Sequence, residues 1–202
     1  MALESNQWIL EGVMTSLCPG LSGASLLGRV NIAPMGPIVD ADMQQFVLRP
    51  FVTSTTFHNL KVTRQGVFHV VDDVLLLARA AIGKIKATVD VQVEPASQVE
   101  GLILTNACRY YELQVVDLCD QQERTAIKAR VVAARTLRDF VGFNRARHAV
   151  LEAAILATRV HLTGSEMVLL ELERLQVMID KTGSDREHQA MDLLRDHVRS
   201  KA

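Results

Sequence analysis

The residues best placed to do chemistry lie between Arg29 and Asp73. Their first piece, VNIAPMGP (Val30–Pro37), reads as a strand that stops abruptly. Pro34 has no N–H to offer a neighbouring strand, and Gly36 lets backbone come close to another group. Small Ala33 beside Pro34 leaves a shallow surface where a flat ring could lie against main chain. The second piece, LRPFVTSTTFHNL (Leu48–Leu60), carries the hydroxyls of Thr53, Ser54, Thr55 and Thr56 into a helix start. Hydroxyl donors beside unpaired helical N–H groups suit a phosphate by geometry and by dipole. Arg49, a few residues upstream, could add a charge-assisted contact. Asn59 shares the face of Thr56 on the first turn, so its amide could reach the same anion. Each piece alone also has a structural reading: hydroxyls before a helix cap it, and a strand ends in a turn.

These residues need elements to hold them. Strands are expected at Trp8–Ser16, Ser25–Ala33, Phe46–Val52, Val67–Val71, Ile85–Val93, Arg109–Leu118 and Thr125–Arg135. Several alternate: Tyr111, Leu113 and Val115 oppose Glu112 and Gln114, while Ile127, Ala129 and Val131 oppose Lys128 and Arg130. Short strands with Pro and Gly breaks favour an antiparallel barrel or sandwich. With no GxGxxG and no regular strand–helix alternation, a Rossmann fold is disfavoured. Thr55–Gln65 and Asp72–Ile82 are expected helices within this region, the latter opened by acidic residues and closed by Gly83.

The tail differs. All five prolines precede residue 96, and beyond Gly142 the only glycines, Gly164 and Gly183, separate helical patterns. Asn144 is the expected cap of a helix through His161, and Ser165 of the next. Ser184 and Glu187 form a capping box for the last, with Met191, Leu194 and Val198 as its apolar stripe. The expected organisation is a β domain over 1–140 and a helical domain of about three helices over 141–202.

Composition narrows the function classes. The chain has 202 residues, 49% apolar and 22% charged, which is ordinary for a folded protein with a sizeable core. A net charge of −1 and 4% aromatic content give no footprint for nucleic acid. Cys18, Cys108 and Cys119 form no CxxC, so a disulfide framework is not expected and a reducing cytoplasm is the default. The scattered histidines include no HExxH, and no metal site is expected. The N-terminal stretch, interrupted by Glu4 and Glu11, does not read as a signal peptide, and no run is long enough to span a membrane.

Taken in order, the Asn-x-Ala-Pro strand, the Pro-Phe-x-Thr-x-Thr-x-x-x-Asn-Leu helix start and the strand GVFHVVDD (Gly66–Asp73) resemble the FMN-binding split-barrel proteins. These include the flavin reductase-like and pyridoxamine-phosphate-oxidase-like groups. More narrowly, ACRYYELQVVD (Ala107–Asp117) and GFNRARHAVLEAAILATRVHL (Gly142–Leu162) are similar to the archaeal and bacterial family DUF447, which joins such a barrel to a C-terminal helical segment. The resemblance implies an antiparallel split β-barrel followed by a helical bundle, with FMN as cofactor.

The resemblance also implies roles. Asn31, Ala33, Pro34, Met35 and Gly36 match the strand along the isoalloxazine ring. Ser54, Thr55 and Thr56 match the hydroxyls on the FMN phosphate, Asn59 matches the Asn just inside that helix, and Thr53 and Arg49 go with the cluster. It implies a homodimer with FMN at the subunit interface, where Arg109 is the candidate to complete a partner's site. Asn144, Arg145 and Arg159 read as structural residues of the helical segment. One departure is that Val52 and Thr53 stand where a lysine is usual, which leaves the charge partner of the phosphate open. Neither His58 nor His69 reads as an obvious general acid. The function expected is a flavin reductase-like oxidoreductase of unknown substrate; the alternative is a non-catalytic FMN-binding module whose helical tail contacts partners.

Overall fold

The computed structural model describes residues 6–20 and 25–201. Among these residues are ten strands: β1 (Gln7–Ile9), β2 (Gly12–Leu17), β3 (Val30–Met35), β4 (Ile38–Asp40), β5 (Gln45–Leu48), β6 (Gln65–Val70), β7 (Val93–Pro95), β8 (Leu102–Leu104), β9 (Arg109–Cys119) and β10 (Ala126–Thr136). The helices are α1 (Leu26–Arg29), α2 (Thr55–Thr63), α3 (Val74–Ala81), α4 (Ala87–Asp90), α5 (Arg145–Thr158), α6 (Val160–Thr163), α7 (Ser165–Thr182) and α8 (Asp185–Arg199). They sort into two compact units. One runs to Val71 and resumes at Lys86–Asp139; the other joins Asp72–Ile85 to the chain from Phe140 onward.

The first unit is a curled, half-barrel sheet of eight antiparallel strands in the order β1-β4-β5-β10-β9-β6-β2-β3. It is the split-barrel type of sheet that the sequence resemblance implies. The strands β1 and β3 are its edges, and β7 and β8 pair as a separate ribbon. Alternation along β9 and β10 explains their long hairpin. Register shifts at Lys128/Ala129 and Val131/Ala133 are bulges, which bend a strand and raise its twist, and so help the sheet curl. On one face Phe46 packs 5.5 Å from Phe68 and 5.2 Å from Tyr111, ring centre to ring centre. Phe57 and Leu60 of α2 bury themselves in the same core.

The other face is held by buried polar groups as well as apolar ones. Glu112, fully buried, accepts hydrogen bonds from Ser97 N (2.9 Å), Ser97 Oγ (2.8 Å), Gln98 N (2.5 Å) and Val99 N (3.1 Å). Thr15 Oγ1 donates to Leu102 O at 2.6 Å, and His69 Nε2 accepts from Leu104 N at 3.0 Å. The segment from Ser97 to Leu104 is thus fastened to β2, β6 and β9 by three side chains that the sheet would otherwise bury unsatisfied.

The second unit is a cluster of α3, α5, α7 and α8. Val74, Leu75, Leu77 and Ala78 of α3 share a core with Val168 and Leu172 of α7 and Met191 and Leu194 of α8. Buried Ala146, Ala149, Ala153, Ala154 and Ala157 line α5, and small side chains let neighbouring helices come close. Asn144 caps α5 by accepting from Arg147 N at 3.0 Å, and Asp73 caps α3. The Ser184–Glu187 capping box forms as expected.

The differences from the sequence reading have local causes. The expected strand Trp8–Ser16 breaks at Leu10–Glu11 into β1 and β2. The turn of α1 occupies the start of the expected Ser25–Ala33 strand. Ile85–Val93 is not a strand: α4 takes its middle and only Val93 enters β7. Ser165 does not cap α7; Gly164 stands at that position and gives no side-chain bond. Arg145 and Arg159 are not among the arginines seen in ion pairs of the helical unit; Arg147 meets Asp72 and Glu187, Arg186 meets Asp73, and Arg174, Arg195 and Arg199 pair along their own helices with Glu171, Asp192 and Asp196. Lastly, α3 lies in the helical unit, although its sequence falls within 1–140.

Candidate functional site

The end of β3 and the start of α2 enclose a cleft of about 240 Å³, lined by Ala33, Pro34, Met35, Gly36, Arg49, Pro50, Phe51, Ser54, Thr56 and Arg124. All these residues belong to the sheet unit. Because β3 is an edge strand, paired among the described residues only to β2, one side of its backbone meets no other described strand. Pro34 withholds a donor there. A Cβ on Gly36 would come within 2.9 Å of Glu11 Oε1, so the group that closely approaches this glycine is the Glu11 carboxylate.

The opposite wall is built by the chain leaving β5. Pro50 O accepts from Thr125 N (3.1 Å) and Thr125 Oγ1 (2.8 Å), and Val52 N donates to Glu123 O at 3.0 Å. A backbone bridge joins Phe51 to Arg124, whose guanidinium carbon lies 4.2 Å from the Phe51 ring centre. The β9–β10 turn is thereby clamped to the approach to α2. Arg49 Nε is buried and has no hydrogen-bond partner. Arg49 and Arg124 are the charged residues among its lining, and the Glu11 carboxylate stands beside Gly36.

Ser54 is the N-cap of α2: its Oγ accepts from Phe57 N at 3.1 Å and donates to Phe51 O at 2.8 Å. The ordinary capping reading therefore holds for Ser54, which also lines the cleft. Two side-chain amides bond behind it, one half-buried and one buried. Asn31 Nδ2 donates to Thr56 Oγ1 at 3.0 Å, and Asn59 Nδ2 donates to Ser16 Oγ at 3.0 Å. Asn31 and Asn59 thus brace the floor and are not among the lining residues. Thr53 and Thr55 are exposed and also fall outside the lining.

Of the residues singled out from sequence, Ala33, Pro34, Met35, Gly36, Arg49, Ser54 and Thr56 come together here. Arg109 does not: its Nε donates to Thr136 Oγ1 at 3.0 Å and its Nη1 to Tyr111 OH at 3.2 Å. Sequence reasoning missed Arg124 altogether, since a single arginine in a polar turn carries no local signal. It quoted Pro50 and Phe51 only as parts of a motif.

No His, Asp, Glu, Cys, Tyr or Lys is among the described residues that line the cleft. His69 is fully buried, with Nδ1 at 3.1 Å from Val13 O and Nε2 accepting from Leu104 N. These bonds specify the neutral ring. Burial lowers its pKa to about 4, against an opposing pull from the Val13 bond. Nδ1 of exposed His58 sits 2.9 Å from Ser54 O, and its ring meets Phe57 edge-on at 5.4 Å. Among the described residues, no group of three or more His, Cys, Asp or Glu could hold a metal ion. Among the same residues, no helix is long and apolar enough to cross a membrane.

The model of the N-terminal domain of the protein of unknown function DUF447 matches residues 24–138, and the model of its following segment matches 144–196. The chain belongs to the DUF447 family. Its fold is shared with an FMN-bound DUF447 protein from Methanosarcina mazei, at 22% identity over 94% of each chain with a TM-score of 0.77. A flavoredoxin from Methanosarcina acetivorans is a more distant likeness: 9% identity over 67% of this chain and 74% of its own, TM-score 0.51. No curated protein matches this DUF447 chain.

Proposed function

We propose that this DUF447 protein binds FMN in the β3–α2 cleft and acts as a flavin reductase-like oxidoreductase. The observation that carries the reading is the meeting of an open strand edge, a helix start and two arginines in one cleft. Each suits a part of FMN. The Ala33–Pro34 surface and the free backbone edge of β3 would take the flat ring. Ser54, Thr56 and the first N–H groups of α2 would take the phosphate. The buried, unpartnered Nε of Arg49 leaves a donor free for an anion. The fold shared with the FMN-bound relative adds support.

When bound, FMN supplies the electron and hydride transfer. The chain's own residues bind and orient it, and the cleft's lack of a titrating side chain accords with that division. At about 240 Å³ the cleft falls below the roughly 300–1,000 Å³ of sites that enclose a small molecule. This supports a homodimer in which FMN lies at the subunit interface and a second chain completes the pocket.

The absence of His, Asp, Glu, Cys, Tyr and Lys from the described lining equally favours the second reading, a non-catalytic FMN-binding module. The purified protein should be yellow and release FMN, identified by mass, on heating. A colourless protein that fails to take up added FMN would refute the flavin reading. Turnover with reduced nicotinamide and an electron acceptor separates the two readings. Sedimentation at equilibrium with FMN should give twice the chain mass; a monomer carrying tightly bound FMN would sink the interface assignment.

A further inference from the structure

We infer that Arg124 and Arg49 form the cation pair of this cleft and select a ligand ending in a phosphate monoester over the same ligand without it. The inference rests on the flavin reading above, and it fills the place left by the missing lysine near Val52 and Thr53.

Three independent observations carry it. First, the two arginines line one cleft, although Arg49 follows β5 and Arg124 belongs to the β9–β10 turn. Second, neither is neutralised by a described residue. Arg29, Arg147 and Arg186 each sit against a carboxylate, whereas among the described residues Arg49 and Arg124 have no acidic partner, and Arg49 Nε has no hydrogen-bond partner there. A buried guanidinium nitrogen without an acceptor is costly unless an anion meets it. Third, Arg124 is held in position. Its backbone is bridged to Phe51, the neighbouring Glu123 and Thr125 are hydrogen-bonded to Val52 and Pro50, and its guanidinium carbon lies over the Phe51 ring. A cation fixed this way loses little freedom on meeting an anion, and two guanidinium forks match the oxygens of a phosphate. The hydroxyls and N–H groups at the start of α2 border the same space.

The test is a titration of FMN and of riboflavin into protein stripped of bound flavin. Wild type is compared with Arg124→Gln, Arg124→Lys and a control on the same hairpin, Arg130→Gln, which removes an equal charge from an exposed site outside the cleft. Arg124→Gln is expected to weaken FMN by about 10- to 100-fold while riboflavin changes less than about twofold. Arg124→Lys should recover part of the loss, and Arg130→Gln should leave both ligands unchanged. Equal weakening of both flavins by Arg124→Gln, or no change in FMN, would overturn the assignment while leaving FMN binding intact. Wild-type protein that binds neither flavin would overturn the flavin reading itself, and this inference with it.

Discussion

At the scale of single residues, buried polar side chains set both stability and its pH dependence. In the unfolded chain the His69 imidazole titrates near 6.5; in the folded protein it titrates near 4. As pH falls through that window the unfolded state takes up the proton first. The stability that neutral His69 contributes is complete above 6.5 and declines towards pH 4, by on the order of 3 kcal/mol. Denaturant melts across this range should show the decline. His69→Gln keeps one donor and one acceptor without titrating in this range, so it should flatten it. Glu112 makes a second case. Glu112→Ala strands the donors of Ser97, Gln98 and Val99 and should cost about 3 kcal/mol or more. Faster amide exchange at those three residues would locate the effect. The sequence placed Glu112 correctly, opposite Tyr111 and Leu113, but alternation alone reads such a residue as facing solvent. What buries it is a loop supplied by residues 97–99, and nothing local announces that pairing. Arg124 escaped notice for the same reason, because its partner Phe51 is far away along the chain.

At the scale of elements, backbone approach is the sharpest constraint. A Cβ on Gly12 would stand 2.3 Å from His69 O, a backbone atom that cannot swing aside. Gly12→Ala should therefore loosen the β2–β6 pairing and cost about 1–3 kcal/mol, read as a lower urea midpoint. On Gly36 the near atoms are the ends of the Glu11 side chain, so Gly36→Ala should stay within about 1 kcal/mol of wild type. Elements with their own periodicity were legible: β9 and β10 through alternation, α8 through its capping box and apolar stripe. The three-residue strands β4, β7 and β8 were not, since so short a stretch has no pattern and owes its state to the strand beside it. A strand was expected over Ile85–Val93, but a hydrogen bond from Lys86 N to Asp90 Oδ2 (2.7 Å) and one from Asp90 N to Lys86 O (2.8 Å) favour a turn there. In the cleft, the hydroxyl run was visible, but which hydroxyls turn inward was not: Ser54, the extended N-cap, and Thr56, in the first turn of α2, line it, whereas Thr53 and Thr55 do not.

At the scale of the whole molecule, the helical unit is assembled from two separate stretches of sequence. Replacing Leu75 and Leu77 of α3 with aspartate should remove more helical circular dichroism than the eight residues of α3 account for, because their partners on α5, α7 and α8 lose a shared core. A loss confined to α3 would show that the other helices hold together without it. The division at residue 140 was readable from the prolines and glycines, whereas the membership of α3 was not, since apolar VLLLARAA would suit either core. This arrangement also sets an order of events during synthesis. On the ribosome α3 emerges about sixty residues before the first helix it packs against. At roughly 5–20 residues per second its apolar face waits several seconds without a partner. Meanwhile β9 and β10 are made and the sheet can close around them, so the nascent protein passes through a stage with a finished sheet and a sticky, unclaimed helix that a chaperone or another nascent chain can seize.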